Sequence, residues 1–581
     1  MSHPDSWSAR RTRLLNRVHA RLSTRAKPAT GFVSQPEPRT IGSFARGRQL
    51  AAGNLLFAGH LIEAPGTALW DIAPPDAEFE TETHGFAWLD DLAAVGDPLT
   101  RAAAQDWVWD WIDRYGRGRG PGWTPELTGR RLIRWINHAL FLLRGQGSDQ
   151  SHAFYRSLAQ QTIFLSRRWH STPPGLARFE ALTGLIYAGL SLTGMERHVP
   201  KAVAALAGEC DRQVDAEGGI PTRNPEELLE VFTLLTWAAA ALNEAGQSAP
   251  AAHMQAIERI APTLRTLRHA DGGLARFHGG GRGLEGRLDQ ALAASGVRTR
   301  VSDGLSMGYA RLSAGRTSII VDASAPPAGK ASFNAHASTL AFELTSGRRP
   351  LIVSCGSGAA FGADWRRAGR ATPSHSALSL DGYSSARLGS ATWSAGARRE
   401  MLLDAPTDVP IKMSHAPDGL RFEGGHDGYV ATHGLTHART LELTFDGRGL
   451  AGEDVLVALD PPARRRFDKC MDAVRLQGIP FQIRFHLHPE ADATLDMGGA
   501  AVSIVLKSGE IWVFRHDATA EMRLEPSVYL EKGRLRPRAT KQVVLTGRAI
   551  EYATRTRWSL AKAQETAIGL RDLHRDEDAL T

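Results

Sequence analysis

The chain contains few cysteines, and this scarcity limits the classes of protein to which it can belong. Cys210, Cys355 and Cys470 are the only three among 581 residues, and they lie far apart in the sequence. There is no Cys-x-x-Cys pair and no even set of cysteines. A disulfide scaffold and a zinc cluster held by thiolates are therefore both disfavoured.

Long apolar runs are absent as well. No stretch of 18 apolar residues occurs, so we expect no segment that spans a membrane. The N-terminal segment MSHPDSWSARRTRLLNRVHARLSTRAK is basic, but it lacks the apolar core of a secretory signal. These two absences together predict a cytoplasmic protein.

Charge of one sign is not concentrated anywhere in the chain. The formal net charge is +7, and the arginines are interleaved with acidic residues rather than gathered into an arm. This pattern predicts no nucleic-acid partner. A mild positive excess suits an anionic ligand such as a uronic-acid polymer, but it is equally compatible with no charged partner at all.

The periodicity of the apolar residues divides the chain into two halves. From residue 86 to about 267 they recur at helical spacing, as in RRLIRWINHALFLL, where Leu132, Ile136 and Leu143 share one face. Glycine and proline breaks separate such segments, which predicts about eight antiparallel helices joined by short loops. After about residue 301 the period becomes two, as in TLELTF, which predicts an antiparallel β-sandwich.

The predicted domain limits follow this change of period. We expect a partly irregular N-terminal extension over 1–85, a helical domain over 86–270, a glycine-rich linker over 271–300 and the sandwich over 301–581. With 42% hydrophobic and 23% charged residues, the composition is that of a globular chain large enough for several domains.

Several motifs in this order resemble the heparinase II/III-like family. The resemblance extends over about residues 85–550 and includes an acidic Gly-Gly stretch in the helical half. The matching segments are Glu217 to Leu228, His336-Ala337-Ser338, Ser354-Cys355-Gly356, Trp365-Arg366 and Ser374-His375-Ser376. The resemblance implies a multidomain α+β fold, in which an N-terminal (α/α) incomplete toroid precedes a C-terminal antiparallel β-sandwich.

The same resemblance implies an activity and a ligand. Members of the family are mostly polysaccharide lyases that cut uronic-acid polymers by β-elimination, which requires a neutralised carboxylate, a base and an acid. A divalent metal such as zinc, held by two histidines and one aspartate, often lies in the sandwich. The family also suggests the periplasm or cell envelope as an alternative location to the cytoplasm.

This sequence departs from the lyase pattern at several positions. Asn334 stands where the family has its catalytic sandwich histidine, Ser354 where it has the metal aspartate, and Glu227 near the place of the helical-domain tyrosine. Either a different set of residues acts, or elimination is not the reaction.

The candidate catalytic residues are Glu227, Asn334 and His336. Glu227 is a candidate base, but Asn224-Pro225-Glu226-Glu227 also reads as the cap and first turn of a helix. Asn334 is a candidate for carboxylate binding, or simply a replacement of the lost histidine. His336 is a candidate for proton transfer, or for metal binding together with His375, with Cys355 or water completing the shell.

The candidate substrate-binding residues are Arg223, Trp135 and Arg366. A guanidinium at Arg223 could hold a carboxylate, or it could simply be solvated. Trp135 could stack on a sugar ring, although a large aromatic residue on a helix is more often part of the core. Arg366 is included because the Trp-Arg motif belongs to the family's pattern. Asn137-His138 resembles the family's Asn-His pair but lies on an earlier helix.

The leading functional prediction is a carbon–oxygen lyase that binds and cleaves an acidic polysaccharide in a cleft between the two domains. The alternative is a catalytically degenerate polysaccharide-binding protein that serves assembly or export of a surface polymer. A hydrolase using paired carboxylates such as Glu180 and Glu227 is a third interpretation. The sequence leaves the oligomeric state open.

Overall fold

The computed structural model describes residues 7–34, 37–299, 304–394 and 397–563, with the side chains of residues 393–398 excepted. Helices dominate its first half. They are α1 (Trp7–Ser23), α2 (Phe44–Ala51), α3 (Ala77–Gly85), α4 (Trp88–Val95), α5 (Pro98–Tyr115), α6 (Pro125–Asn137), α7 (Ala139–Leu143), α8 (Ser148–Arg168), α9 (Leu176–Ser191), α10 (Val199–Gln213), α11 (Pro225–Glu244), α12 (Ala251–Thr266) and α13 (Arg287–Ser295).

Local sequence explains where these helices begin. Asp97 caps α5 by accepting a hydrogen bond from the backbone N–H of Thr100 at 2.8 Å, and Pro98 fills the first helical position. The inner faces pack into one apolar core with many fully buried side chains, including Trp88, Trp111 and Trp135. Capping and an apolar face therefore produce the predicted helical array.

Strands dominate the second half, with three further helices α14 (Ala363–Gly369), α15 (Val430–His433) and α16 (Pro461–Ala473). The strands are β1 (Asn54–Phe57), β2 (His60–Glu63), β3 (Tyr309–Ala314), β4 (Thr317–Asp322), β5 (Phe342–Ser346), β6 (Arg349–Val353), β7 (Leu378–Leu380), β8 (Arg387–Leu388), β9 (Thr392–Ser394), β10 (Ala397–Arg399), β11 (Leu402–Leu403), β12 (Ile411–Ala416), β13 (Gly419–Tyr429), β14 (Leu435–Thr444), β15 (Gly449–Val457), β16 (Ile479–Leu487), β17 (Asp492–Asp496), β18 (Ala501–Val505), β19 (Ile511–His516), β20 (Glu521–Tyr529), β21 (Arg538–Ala549) and β22 (Ala553–Lys562).

Two large antiparallel sheets form the sandwich. One has the order β12-β13-β14-β15-β22-β19-β18-β17, and the other has the order β20-β21-β16-β6-β5-β4-β3, with β7 also paired to β16. Strand β14 alternates buried and half-buried residues along its whole length, as the two-residue period predicts. Between the sheets, the rings of Phe342 and Trp558 stack with their centroids 5.9 Å apart. The predicted fold class, a helical domain followed by an antiparallel sandwich, is confirmed.

The N-terminal extension and the predicted linker contain regular structure. Helices α1, α2 and α3 and the β1–β2 hairpin lie within residues 1–85, and α1 packs against α8. Helix α13 lies within the predicted linker 271–300. The domain limits at 85, 270 and 300 stay predictions. Within the described ranges, no helix combines the length and the apolar character that crossing a bilayer requires.

Candidate functional site

The first turn of α11 lies at the junction of the helical domain and the sandwich. The Asn224 side chain caps α11 by accepting hydrogen bonds from the backbone N–H groups of Glu226 at 3.0 Å and Glu227 at 3.2 Å. The helix-capping interpretation of this segment is therefore correct. Burial, reinforced by the charge of Glu180, raises the pKa of Glu227 to about 7. A carboxyl group with that pKa suits proton transfer near neutral pH.

A glycine loop connects this helix turn to the sandwich side of the junction. The backbone N–H of Gly281 donates to the Glu226 carboxylate at 2.8 Å, and the same carboxylate pairs with Lys532 at 3.1 Å. A Cβ on Gly280 would lie 2.5 Å from Asn224 Oδ1, and one on Gly279 would lie 3.0 Å from Asn334 Cβ. Only glycines allow so close an approach, so the loop brings the first turn of α11 and Asn334 to the same junction.

Asn334 and Arg366 lie together on the sandwich side. Asn334 is exposed, and its side-chain oxygen accepts a hydrogen bond from Arg366 at 2.9 Å. An amide and a guanidinium in contact can both donate to a ligand carboxylate. This pair therefore has the chemistry that the sequence predicts for binding an acidic sugar.

Arg223 corrects the sequence prediction. Its guanidinium is directed into the protein and makes five hydrogen bonds, which reach the carbonyl oxygens of Met307, Gly308, Ser324 and Ala325 and the carboxylate of Asp322. These bonds use all five of its N–H donors, and only 9% of the residue is exposed. The expectation that Arg223 binds a substrate carboxylate is wrong, because Arg223 joins α11 to the sandwich instead.

His336 and His375 come together as the sequence predicts, but beneath the surface. His336 Nδ1 lies 3.2 Å from His375 Nε2, and the His336 backbone N–H donates to His278 Nδ1 at 3.2 Å. His278 in turn contacts Asp322 at 3.3 Å. Burial, with the neighbouring imidazoles, holds the pKa of His336 well below its usual value, and burial lowers the pKa of His375 to about 3.

The burial of His336 contradicts its predicted catalytic role. Only 2% of the residue is exposed, so a polymer cannot reach its imidazole. An imidazole that stays neutral and is bonded to protein groups stabilises the fold rather than moving a substrate proton.

The metal expected from the family does not fit the residues present. In the aspartate position, the hydroxyl group of Ser354 is hydrogen-bonded to His375 Nδ1 at 3.0 Å. Cys355 does not complete a shell either, because its sulfur lies against His486 Nδ1 at 3.5 Å. In the part of the chain that the structure describes, no group of three or more histidine, cysteine, aspartate or glutamate side chains could hold a metal ion. Two neutral imidazoles and a hydroxyl form a weak donor set for zinc.

Trp135 is a second correction among the predicted substrate-binding residues. It is fully buried, its ring stacks on Phe154 with centroids 5.6 Å apart, and it makes edge contacts with Trp111 and Phe86. It cannot reach a sugar, so the core interpretation is the right one.

Several polar residues at the junction carry no motif, and of these the sequence pointed only to Glu180, as one of the paired carboxylates of a possible hydrolase. Arg130 pairs with one oxygen of Glu180, while the other oxygen of Glu180 is buried and has no partner in the described ranges. Burial raises the pKa of Glu180 as well. Lys532 and His278 come from distant loops, and the glycine run after His278 is the only sequence signal near them.

The chain belongs to the heparinase II/III-like family. The profile described as "Heparinase II/III-like, C-terminal" matches residues 296–559. Over 547 residues, which are 92% of this chain and 91% of the relative, the chain is 33% identical to "FtsZ-localized protein C" of Caulobacter vibrioides.

Solved structures of similar fold are much more distant in sequence. The crystal structure of heparinase III has a TM-score of 0.65 at 11% identity, with 95% of this chain and 89% of that chain covered. A heparan sulfate lyase HepC mutant from Pedobacter heparinus has a TM-score of 0.56 at 15% identity, with coverage of 95% and 88%. At these identities the likeness establishes the fold alone.

Proposed function

We propose that this chain is a heparinase II/III-like protein that does not perform the histidine- and metal-assisted elimination of its family, and that it works at sites occupied by FtsZ. The observation that carries the proposal is the burial of His336 and His375 in a hydrogen-bonded network, with no third metal ligand among the residues that the structure describes. With Asn334 at the position of the family's catalytic histidine and Glu227 near that of its tyrosine, the usual proton-transfer groups are missing, and Ser354 stands in place of the metal aspartate.

The association with FtsZ draws its support from the relative in Caulobacter vibrioides. That relative is named as FtsZ-localized, and the two chains match over nearly their full lengths. A shared arrangement of both domains favours a shared partner more than a match of one domain would. A cytoplasmic location is part of this proposal.

Two measurements test the association. A fluorescent fusion expressed in the native organism should coincide with labelled FtsZ, and purified chain should bind immobilised FtsZ of the same organism. Bovine serum albumin immobilised at the same density provides the control. If the fluorescence of the fusion is diffuse in the cell and the purified chain shows no measurable binding to FtsZ, the proposal is wrong.

A second candidate function rests on Glu227. A carboxyl group with a pKa of about 7 at the same junction as the Asn334–Arg366 pair supports a lyase that acts on an acidic polysaccharide with Glu227 as base. Incubation with heparan sulfate, alginate and hyaluronan, followed by ultraviolet absorbance of unsaturated products, tests this candidate. Glu227→Gln is the matched variant, because it retains shape and removes the base. Product formation that Glu227→Gln abolishes would establish the lyase, whereas reducing ends without unsaturation would indicate hydrolysis.

A further inference from the structure

A large cavity opens at the C-terminal end of α6. Its volume is about 610 Å³, which falls within the range of small-ligand sites. Arg130, which pairs with Glu180, is two turns earlier in α6, so this cavity begins ~10 Å further along the helix axis. It is lined by Glu37, Pro38, Thr40, Gly42, Asp90, Ala93, Ala94, Asn137, His138, Leu140 and Phe141.

The side chain of Asn137 is the unusual feature of this cavity. Only 1% of the residue is exposed, and neither its amide nitrogen nor its amide oxygen has a hydrogen-bond partner among the residues that the structure describes. A buried amide without partners destabilises a folded protein. A ligand that offers both a donor and an acceptor would satisfy this side chain after a small displacement of the wall.

The remaining polar groups of the cavity favour an uncharged ligand. His138 Nε2 lies 2.9 Å from Asp90 and 3.1 Å from the Thr40 hydroxyl, and Arg134 approaches the same aspartate at 3.3 Å. The charge of Asp90 is therefore compensated within the protein. No lysine or arginine occurs among the lining residues in the described ranges, whereas Glu37 does, so the wall offers no cation to hold an anionic ligand.

The apolar part of the wall supplies the complementary surface. Pro38, Leu140 and Phe141 line the cavity, and 76% of Leu140 is exposed. Sugars combine apolar ring faces, which pack on such side chains, with hydroxyl groups that donate and accept hydrogen bonds. We propose that this cavity binds a neutral sugar unit, with the Asn137 amide hydrogen-bonded to its hydroxyl or acetamido groups.

Ligand-observed NMR with the full chain tests the proposal. The probes are glucose, N-acetylglucosamine and N,N′-diacetylchitobiose, with a sulfated heparin disaccharide for comparison. At least one neutral sugar should bind, and Asn137→Leu should weaken that binding at least tenfold. The melting temperature of Asn137→Leu should equal or exceed that of the wild type, because leucine removes unpaired polar atoms from a buried position.

Two further variants keep the test decisive. Ala94→Trp narrows the cavity at an exposed wall position, so it should weaken binding without disturbing the core, even if Asn137→Leu fails to fold. Asn243→Leu makes the same substitution at an exposed asparagine elsewhere and should leave binding unchanged. The proposal is overturned if no neutral sugar binds, if only the sulfated disaccharide binds, or if Ala94→Trp leaves the affinity unaltered.

Discussion

Replacing Arg223 with methionine tests whether Arg223 stabilises the fold or binds a substrate. Arg223 donates to Asp322 at 2.6 Å, and the Asp322 carboxylate is fully buried. Burial alone would raise the pKa of Asp322, but the Arg223 guanidinium holds it well below the usual value. The variant therefore leaves a buried carboxylate without its main counter-charge.

The expected cost is large because the charge that remains cannot be solvated. Breaking a buried ion pair from one side typically costs about 3–5 kcal/mol of folding free energy. Adding Asp322→Asn to Arg223→Met removes the uncompensated charge, retains an acceptor for the Ser338 hydroxyl, and should recover at least ~1 kcal/mol. Urea unfolding followed by tryptophan fluorescence measures both changes.

The control is an arginine of the same region whose partner is exposed. Arg268 pairs with Asp289 at 2.8 Å, but 62% of the aspartate side chain is exposed. Arg268→Met should therefore cost about 1 kcal/mol or less. If Arg223→Met costs no more than this control while binding of an acidic polysaccharide is lost, the structural role assigned to Arg223 is wrong and the substrate-binding role is right.

Three further predictions concern burial. Burial, with the nearby Arg131 charge, lowers the pKa of His84 to about 3. Below pH 6.5 the unfolded state therefore takes up a proton that the folded state does not, and the contribution of His84 to the free energy of unfolding falls by ~2 kcal/mol between pH 8 and pH 5. His84→Gln should reduce this pH dependence in urea titrations. Trp135→Ala should lower the free energy of unfolding by about 3–5 kcal/mol in the same assay and leave the affinity of the remaining folded protein for glycans unchanged. If the variant instead keeps its stability and loses its affinity for glycans, Trp135 has a binding role. Because the folded pKa of Glu227 is raised to about 7, the contribution of Glu227 to the free energy of unfolding is complete below pH 4.5 and is lost as the pH rises through 7. Glu227→Gln should therefore stabilise the protein by up to ~3 kcal/mol at pH 8.5 and by almost nothing at pH 4.

The sequence predicted the fold class well because the signals for it are local. Helical periodicity before residue 270 and alternation in segments such as TLELTF follow from which faces must be buried. The cap at Asn224 was also readable, since an N-cap followed by proline acts within one turn. The family's motif spacing correctly predicted that His336 and His375 are neighbours. Their ring nitrogens Nδ1 and Nε2 lie 3.2 Å apart.

The predicted site was less accurate because exposure is not a local property. Arg223, His336 and Trp135 have residue types that suit sugar binding or proton transfer, yet each is buried against partners that are distant in sequence. Arg223 forms an ion pair with Asp322, which lies 99 residues later in the sequence. No spacing rule reveals whether such a side chain faces a cleft or a core.

The sequence by itself determined the order of the two domains and the class of each, since these are properties of residue type and short-range pattern. Tertiary structure alone decided which polar groups meet water. It buried Arg223 and the histidines in a network between the domains, and it left the amide of Asn137 at a cavity wall without a hydrogen-bond partner among the residues that the structure describes. The physical reason is that desolvation and pairing depend on atoms contributed by distant segments, whose positions are fixed only when the helical domain and the sandwich pack together.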